Sequence, residues 1–277
     1  MTGMIPNLDG ASRVYAVFGD PVAQVQTPRL INPIFAAAGV NTFAVPFHVT
    51  PAQFGATWDA LAALDSIAGI GVTVPHKVAA AERCATLTPT AQAVGAVNSI
   101  QRGADGRMHG ALFDGMGFVL GLGAARARLR GARVLMVGAG GAGRAIAHAL
   151  AGEGIAALGL MDLDAASVSF TAEMVNAVTG ATTAFAADPG KGFAYDVIVN
   201  ASPIGIKGDA RFPVPAEALT GDMLVADIAA LQGDTALLRD AKAAGAATSD
   251  GNDMLEAQIA LIAGFAAGLP AGEALGR

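Results

Sequence analysis

Three glycines at 138, 140 and 143 and an aspartate at 162 have the types and spacing needed to hold a dinucleotide. The stretch Gly138-Ala-Gly-Gly-Ala-Gly143 matches G-x-G-x-x-G. In that pattern the first glycine makes a tight turn, the second lets backbone approach a pyrophosphate, and the third lets a helix pack closely on a strand. Ala139, Gly141 and Ala142 complete a loop that leads into a helix whose N-terminal N–H groups would face the phosphates. Asp162 follows Gly143 by 19 residues, where a carboxylate can accept the ribose hydroxyls of an adenosine. The same charge repels a 2′-phosphate, so NAD is expected and NADP disfavoured. A nicotinamide cofactor carries the hydride itself; the protein must supply a proton partner and orient the substrate. Lys77 and Asp114 are candidates, each at a corner between loop and helix. Taken singly, they read as a solvated surface charge and a helix cap.

Such a loop must sit between a buried strand and a helix. Val134-Leu-Met-Val137 is a short apolar run of that kind, Arg144–Ala151 has good helix propensity, and Leu158-Gly-Leu-Met-Asp162 closes the next strand. Further strands near 183–186, 196–199 and 223–227, alternating with helices such as 234–244, predict a doubly wound sheet. Upstream, strands at 14–19, 43–48 and 67–74 alternate with helices after Pro28 and over 51–64. Pro75 stops the third strand and starts a helix carrying His76, expected at the surface, and Lys77. Short strands at 96–101 and 107–111 flank a Gly103–Gly106 turn. Asp114–Leu129 reads as one long connecting helix, and 252–267 as a last amphipathic helix. The first strand–helix series ends before Asp114 and the second begins at Gly131, which predicts two domains.

Composition narrows the function classes. The 277 residues are 53% apolar, enough for a sizeable core. A net charge of −6 argues against nucleic acid as a partner. Cys84 is the one cysteine, so no intrachain disulfide can form; it reads as a small buried apolar residue, and a cytoplasmic location fits. No signal peptide is expected, and the most apolar stretch, 257–269, is too short to span a bilayer, so no membrane partner is expected. Histidines 48, 76, 109 and 148 share no metal-ligand spacing, so no metal is expected.

Six stretches occur in order: Gly71-Val-Thr-Val-Pro-His-Lys77, Gly95-Ala-Val-Asn-Ser-Ile100, Asp114-Gly-Met-Gly-Phe118, Gly138–Ala145, Asn200-Ala-Ser-Pro-Ile-Gly205 and Asp250-Gly-Asn-Asp-Met-Leu-Glu-Ala-Gln258. Together, with Gly19-Asp-Pro21 and Pro28…Asn32, they make the chain resemble the shikimate/quinate dehydrogenase family over nearly its whole length. The resemblance implies two α/β domains: a substrate-binding domain (1–114 with 250–277) and a Rossmann dinucleotide-binding domain (115–249). A helix would join them, and the last helix would return to the first. It implies oxidation of a ring hydroxyl of a small cyclic hydroxy acid to a ketone, or the reverse, with Lys77 and Asp114 as the catalytic pair. Thr27, Thr73, Asn98 and Gln258 fall at substrate-binding positions; Asn200, Ser202 and Gly205 match the loop near the nicotinamide, and Gly251 falls on the cofactor side. Asp162-Leu-Asp164 is similar to the NAD-using branch. A monomer or homodimer is expected. The alternative from another class is a nucleotide-binding sensor without turnover.

The resemblance has gaps on the substrate side. The family's His-Ser-x-Ser-Pro is Gln24-Val-Gln-Thr-Pro28, so one carboxylate-binding serine becomes Val25 and the other Thr27. Leu112-Phe113 replaces Asn-Thr before the aspartate, Gly71 replaces an asparagine, and Asp227-Ile-Ala-Ala230 lacks the expected tyrosine. A hydrogen bond to a charged group contributes roughly 1.5–3 kcal/mol, so these changes predict weaker acid binding, with Gln24, Gln26 and Arg29 as candidate compensators.

Overall fold

The computed structural model describes residues 8–180, 182–188, 194–206 and 214–276. The chain divides into two compact units, 1–113 with 259–277, and 114–258. It passes between them at Phe113–Asp114 and again inside the last helix, between Gln258 and Ile259.

The first unit is built on a six-stranded mixed sheet. Strands β1 (Arg13–Gly19), β2 (Thr42–His48) and β3 (Ile67–Val72) run parallel, with β1 central. Their crossovers are helices α1 (Thr27–Ala37) and α2 (Pro51–Ala62), as a parallel sheet requires. After β3 come α3 (Lys77–Ala81), β4 (Thr86–Leu87), α4 (Pro89–Val94), β5 (Ser99–Arg102) and β6 (Met108–Ala111). Strand β5 pairs antiparallel with β3 and β6, completing the order β2-β1-β3-β5-β6-β4. All of β3 is buried, and its Gly69 has no room for a side chain: a Cβ there would lie 2.1 Å from the Ile100 carbonyl oxygen. One core cluster joins Tyr15, Val17, Ile31, Phe35, Ala44 and Phe113 to Ile259, Ile262 and Phe265 of the last helix.

The second unit opens with α5 (Asp114–Gly121) and a 3-10 segment, Gly123–Arg128. Strands β7 (Arg133–Val137), β8 (Ala157–Met161), β9 (Thr183–Ala186), β10 (Val197–Asn200), β11 (Leu224–Asp227) and β12 (Ala247–Asp250) form an all-parallel sheet ordered β12-β11-β10-β7-β8-β9. This is the doubly wound 3-2-1-4-5-6 order, with the reversal between β7 and β10. Helices α6 (Gly141–Gly152), α7 (Ala165–Thr179) and α8 (Ala236–Ala243) lie between strands, and α9 (Gly251–Ala266) ends the fold. The two α/β units expected from sequence are present.

The long helix expected over 114–129 is broken. Helix α5 stops at Gly121, and Gly123 takes φ +53°, the left-handed conformation that ends helices. Only the 3-10 segment follows. Gly121 is held there by packing, since a Cβ would lie 2.7 Å from the backbone of Asp253 on α9.

Candidate functional site

The glycine loop lies at the carboxyl end of β7, at the point where the strand order reverses. Ligands bind doubly wound sheets there. Gly138 takes φ +103°, and a Cβ on it would lie 2.6 Å from the Ala201 carbonyl at the end of β10. A Cβ on Gly143 would lie 2.1 Å from the Gly138 carbonyl oxygen. Both positions therefore exclude every other residue. Gly140 is different: among the described residues, a Cβ there would have nothing within 4 Å beyond its own chain neighbours, so packing does not require the glycine. What its small size keeps open is the approach to the N-terminus of α6. No side chain caps that helix, so the N–H groups of Gly141, Ala142 and Gly143 remain donors for an anion. A pyrophosphate fits this cradle.

Asp162 directly follows β8, beside the loop. Its Oδ2 accepts the Ala139 N–H at 2.6 Å and its Oδ1 accepts the Asp164 N–H at 2.9 Å. Asp164 caps α7 through Ala166 and Ser167. A carboxylate has about four lone-pair sites, so Asp162 can still accept ribose hydroxyls. Its bond to Ala139 fixes its distance from the loop.

On the other half of this sheet, Asn200 and Asp227 end neighbouring strands and are each 1% exposed. Asn200 Nδ2 donates to Asp227 Oδ1 at 2.9 Å, and Asn200 Oδ1 accepts the Ser202 hydroxyl at 2.7 Å. Burial pushes the Asp227 carboxyl up, against the lowering effect of bonds from Thr235, Ala229 and Asn200. Gly205 turns the same loop with φ +94°. Gly251 starts α9, where a Cβ would lie 2.5 Å from the Ile228 carbonyl oxygen.

Asp114 is the first residue of α5 and is buried. Helix α9 packs on α5 through glycine: a Cβ on Gly117 would lie 2.7 Å from Gln258 Cβ. Gln258, also buried, thus crosses α5 one helical turn from Asp114. Gly115 packs the other side of α5 onto the Ala145 backbone of α6.

In the first unit, Lys77 starts α3, half-buried, just after the carboxyl end of β3. Two contacts fix it. The His76 ring stacks on Phe54 at 5.0 Å and donates through Nε2 to the Val49 carbonyl at 2.6 Å. The Lys77 carbonyl accepts the Val97 N–H at 3.0 Å, bringing Lys77 beside Asn98. His76 is therefore a buried anchor rather than the surface residue expected, because Phe54, from a distant helix, covers it. Asn98 is buried and its Oδ1 accepts the Phe113 N–H at 3.0 Å.

Thr73 and Val25 meet over Gly19 at the end of β1, where a Cβ would lie 2.9 Å from Thr73 Cγ2 and 3.6 Å from Val25 Cγ2. Thr27 opens α1 and is half-buried. The candidate compensators are engaged locally: Gln24 donates to the Pro21 carbonyl, Gln26 to the Gln24 carbonyl, and Arg29 to Gln26. Tyr15 fills the space above Gly71 and shares a 2.7 Å hydrogen bond with Ser99. Phe113 does not lie open beside Asp114. Its ring is 2% exposed and packs edge-on against Phe265 at 5.7 Å, inside the core.

Cys84 is half-buried rather than fully buried as expected. Burial pushes its thiol up to about 12, and its Sγ lies 3.2 Å from the Ala80 carbonyl oxygen. Among the described residues no group of three or more His, Cys, Asp or Glu could hold a metal ion, and no helix is long and apolar enough to cross a membrane.

Residues 17–100 match the family model described as the shikimate dehydrogenase substrate binding domain. The chain is 36% identical over 278 residues to the shikimate dehydrogenase (NADP(+)) of an Anaeromyxobacter species, covering 96% of this chain and 95% of the relative. It is similar to the quinate dehydrogenase of Corynebacterium glutamicum, solved in complex with NAD, with a TM-score of 0.83, 27% identity and 93% and 94% of the two chains covered. It is also similar to the 5-ketofructose reductase of a Gluconobacter species, with a TM-score of 0.78, 29% identity and 95% and 94% covered.

Proposed function

The chain belongs to the shikimate dehydrogenase family, and from that premise we propose that it moves a hydride between a nicotinamide dinucleotide and a ring hydroxyl or ketone of a small polyhydroxylated substrate. The observation that carries this reading is the cradle at Gly138–Gly143, built where an all-parallel sheet reverses its order and backed by Asp162. The dinucleotide supplies the hydride acceptor or donor. The glycine loop and the start of α6 bind its pyrophosphate, and Asp162 binds the adenosine ribose. Lys77 stabilises the alkoxide as the substrate hydroxyl loses its proton and takes that proton up, or returns it in the reverse direction. Asp114, the other member of the catalytic pair that the family implies, holds substrate hydroxyls. Thr27, Thr73, Asn98 and Gln258 bind the remaining hydroxyls. The first unit carries Thr27, Thr73, Lys77 and Asn98, and the second carries the cofactor cradle together with Asp114 and Gln258. A regulatory protein without turnover finds no support in this set of relatives.

NAD is the preferred form in this reading. Relatives include enzymes named for NADP(+), but Asp162 holds a negative charge where a 2′-phosphate would sit. Binding of NAD and NADP to the purified protein should favour NAD by about tenfold or more, since one unfavourable charge contact costs on the order of 1.4 kcal/mol. The substitution Asp162→Ser should narrow the gap. Equal or tighter binding of NADP to the unaltered protein would rule the preference out.

An uncharged substrate is a second reading, favoured by the charges of the first unit. Among its described residues, Arg13 and Arg102 donate to main-chain carbonyls, Arg29 to Gln26, Arg83 to Asp59 and Arg107 to Asp105. Lys77 is assigned to the reacting oxygen. With Val25 packed on the apolar core, a substrate carboxylate is poorly served, whereas hydroxyls suit Thr27, Thr73 and Asn98. A keto-sugar, as in the name of the similar 5-ketofructose reductase, meets these terms better than an acid does. A panel of shikimate, quinate and uncharged cyclic keto-polyols, followed through the absorbance of the reduced cofactor, tests both readings. Shikimate should be a poor substrate, and Val25→Ser should raise its kcat/KM by about tenfold through one restored hydrogen bond to charge. A kcat/KM for shikimate above about 10⁴ M⁻¹s⁻¹ in the unaltered protein would show that Val25 is no obstacle.

A further inference from the structure

Asp227 holds more of the second unit's ligand-facing backbone than any sequence motif assigns to it. Its Oδ1 accepts from Asn200 Nδ2 at 2.9 Å and from the Ala229 N–H at 3.0 Å, and its Oδ2 accepts from the Thr235 hydroxyl at 2.5 Å. Asn200 passes the constraint on. Its Oδ1 accepts both the N–H and the hydroxyl of Ser202, at 3.1 and 2.7 Å, and its Nδ2 also donates to the Ile204 carbonyl at 2.9 Å. Ser202 Oγ in turn accepts the Ile204 N–H at 3.2 Å. Gly205 follows at φ +94°, with the Thr235 methyl 3.0 Å from where its Cβ would be. One buried carboxylate therefore underpins the whole turn at 200–205.

The position of that turn gives the network its meaning. In the 3-2-1-4-5-6 order, the adenosine half of a dinucleotide lies over the strands on one side of the reversal and the second nucleotide half over those on the other. Here β7 and β8 carry the glycine loop and Asp162, so the second half falls at the carboxyl ends of β10 and β11, where Asn200 and Asp227 sit.

We propose that Asp227 is a positioning residue for the nicotinamide half of the cofactor: through Asn200 it sets the turn at 200–205, against which the nicotinamide end is placed, without itself touching cofactor or substrate. The proposal rests on the reading of the second unit as a dinucleotide site. It explains why a carboxylate is kept in a buried place. The group must accept three hydrogen bonds, and an alanine there would leave one Asn200 amide hydrogen, the Ala229 N–H and the Thr235 hydroxyl hydrogen without their acceptor. An asparagine could keep them, its oxygen accepting from Asn200 and Ala229 and its NH₂ donating to the Thr235 oxygen.

The test compares two probes, the reduced dinucleotide and ADP-ribose, which has the adenosine diphosphate portion without the nicotinamide ring. In Asp227→Ala, ADP-ribose should bind within about twofold of the unaltered protein, while the dinucleotide binds about tenfold or more weakly and kcat falls by a similar factor, the scale of one or two lost hydrogen bonds. Asp227→Asn should return both to near the starting values. Thr235→Val, which removes one of the three bonds, should give the same selective loss at about threefold, and it carries the test should the alanine variant not fold. Equal weakening of both probes, or no change in either, would overturn the positioning role while leaving the dinucleotide site standing. Failure of the unaltered protein to bind either probe would overturn the dinucleotide reading itself.

Discussion

Replacing Lys77 by alanine is expected to lower kcat by about two to four powers of ten while leaving dinucleotide affinity within about twofold of the original. The argument begins with the bond that must change. When a ring hydroxyl becomes a ketone, its carbon gives up hydride and its oxygen gives up a proton. The dinucleotide accounts for the first and a side chain must account for the second. Lys77 stands at the carboxyl end of β3, held by the buried His76 below and by the Val97 amide on its own carbonyl. Such anchoring is what a group needs to meet a developing charge without reorganising. The glycine loop belongs to the other unit, so the substitution leaves the cradle intact. Steady-state kinetics and a separate cofactor titration read the two effects apart. A variant with near-normal turnover would remove Lys77 from the chemistry.

The second large effect concerns Gly143→Ala. A methyl group here would start 2.1 Å from the Gly138 carbonyl oxygen, well inside contact distance, and that oxygen is backbone. The loop has to open, and with it the spacing between the turn at Gly138 and the N-terminus of α6. Overpacking of this kind costs roughly 1–3 kcal/mol, which predicts about a ten- to hundredfold loss of dinucleotide affinity. Gly140→Ala makes a useful contrast. Among the described residues its methyl would meet nothing within 4 Å beyond its own chain neighbours, so the fold should be unaffected and any loss of affinity must come from the ligand's side. Calorimetric titration with NAD and a melting curve for each variant separate these cases. Full affinity in Gly143→Ala would mean that the close approach is not used.

The second unit was readable from sequence because its signals are local. A strand, a glycine-rich turn, a helix and an acid at fixed spacing all lie between Val134 and Asp162, and the alternation beyond them carries the rest of the sheet. Short strands were harder. Thr86–Leu87 has two residues, and Ala247–Asp250 has no alternation or β-branched run to mark it, so pairing with β6 and β11 defines them. What failed depends on distant contacts. Phe113 precedes Asp114 in sequence, but its ring turns into the core because Phe265, about 150 residues on, provides a partner there. His76 is polar by type and buried by Phe54 and the Val49 carbonyl. The Asp162–Ala139 bond and the Asp227 network each join residues from separate strand ends, which no linear spacing specifies.

Phe113 also changes how substrate selection can be tested. Restoring a hydroxyl at 113 would open the core beside Phe265 instead of adding a donor to the site, so Val25 is the cleaner position.

The most direct measurement of the central claim, hydride transfer to a ring ketone, is isotopic. The protein is incubated with a cyclic keto-polyol or keto-acid and reduced cofactor carrying deuterium at the transferable position of the nicotinamide, and the alcohol product is weighed by mass spectrometry. The account predicts one deuterium on the carbinol carbon of the product, formed in step with oxidised cofactor and lost in Lys77→Ala. Binding of the cofactor with no deuterium transferred to any member of the panel would contradict it.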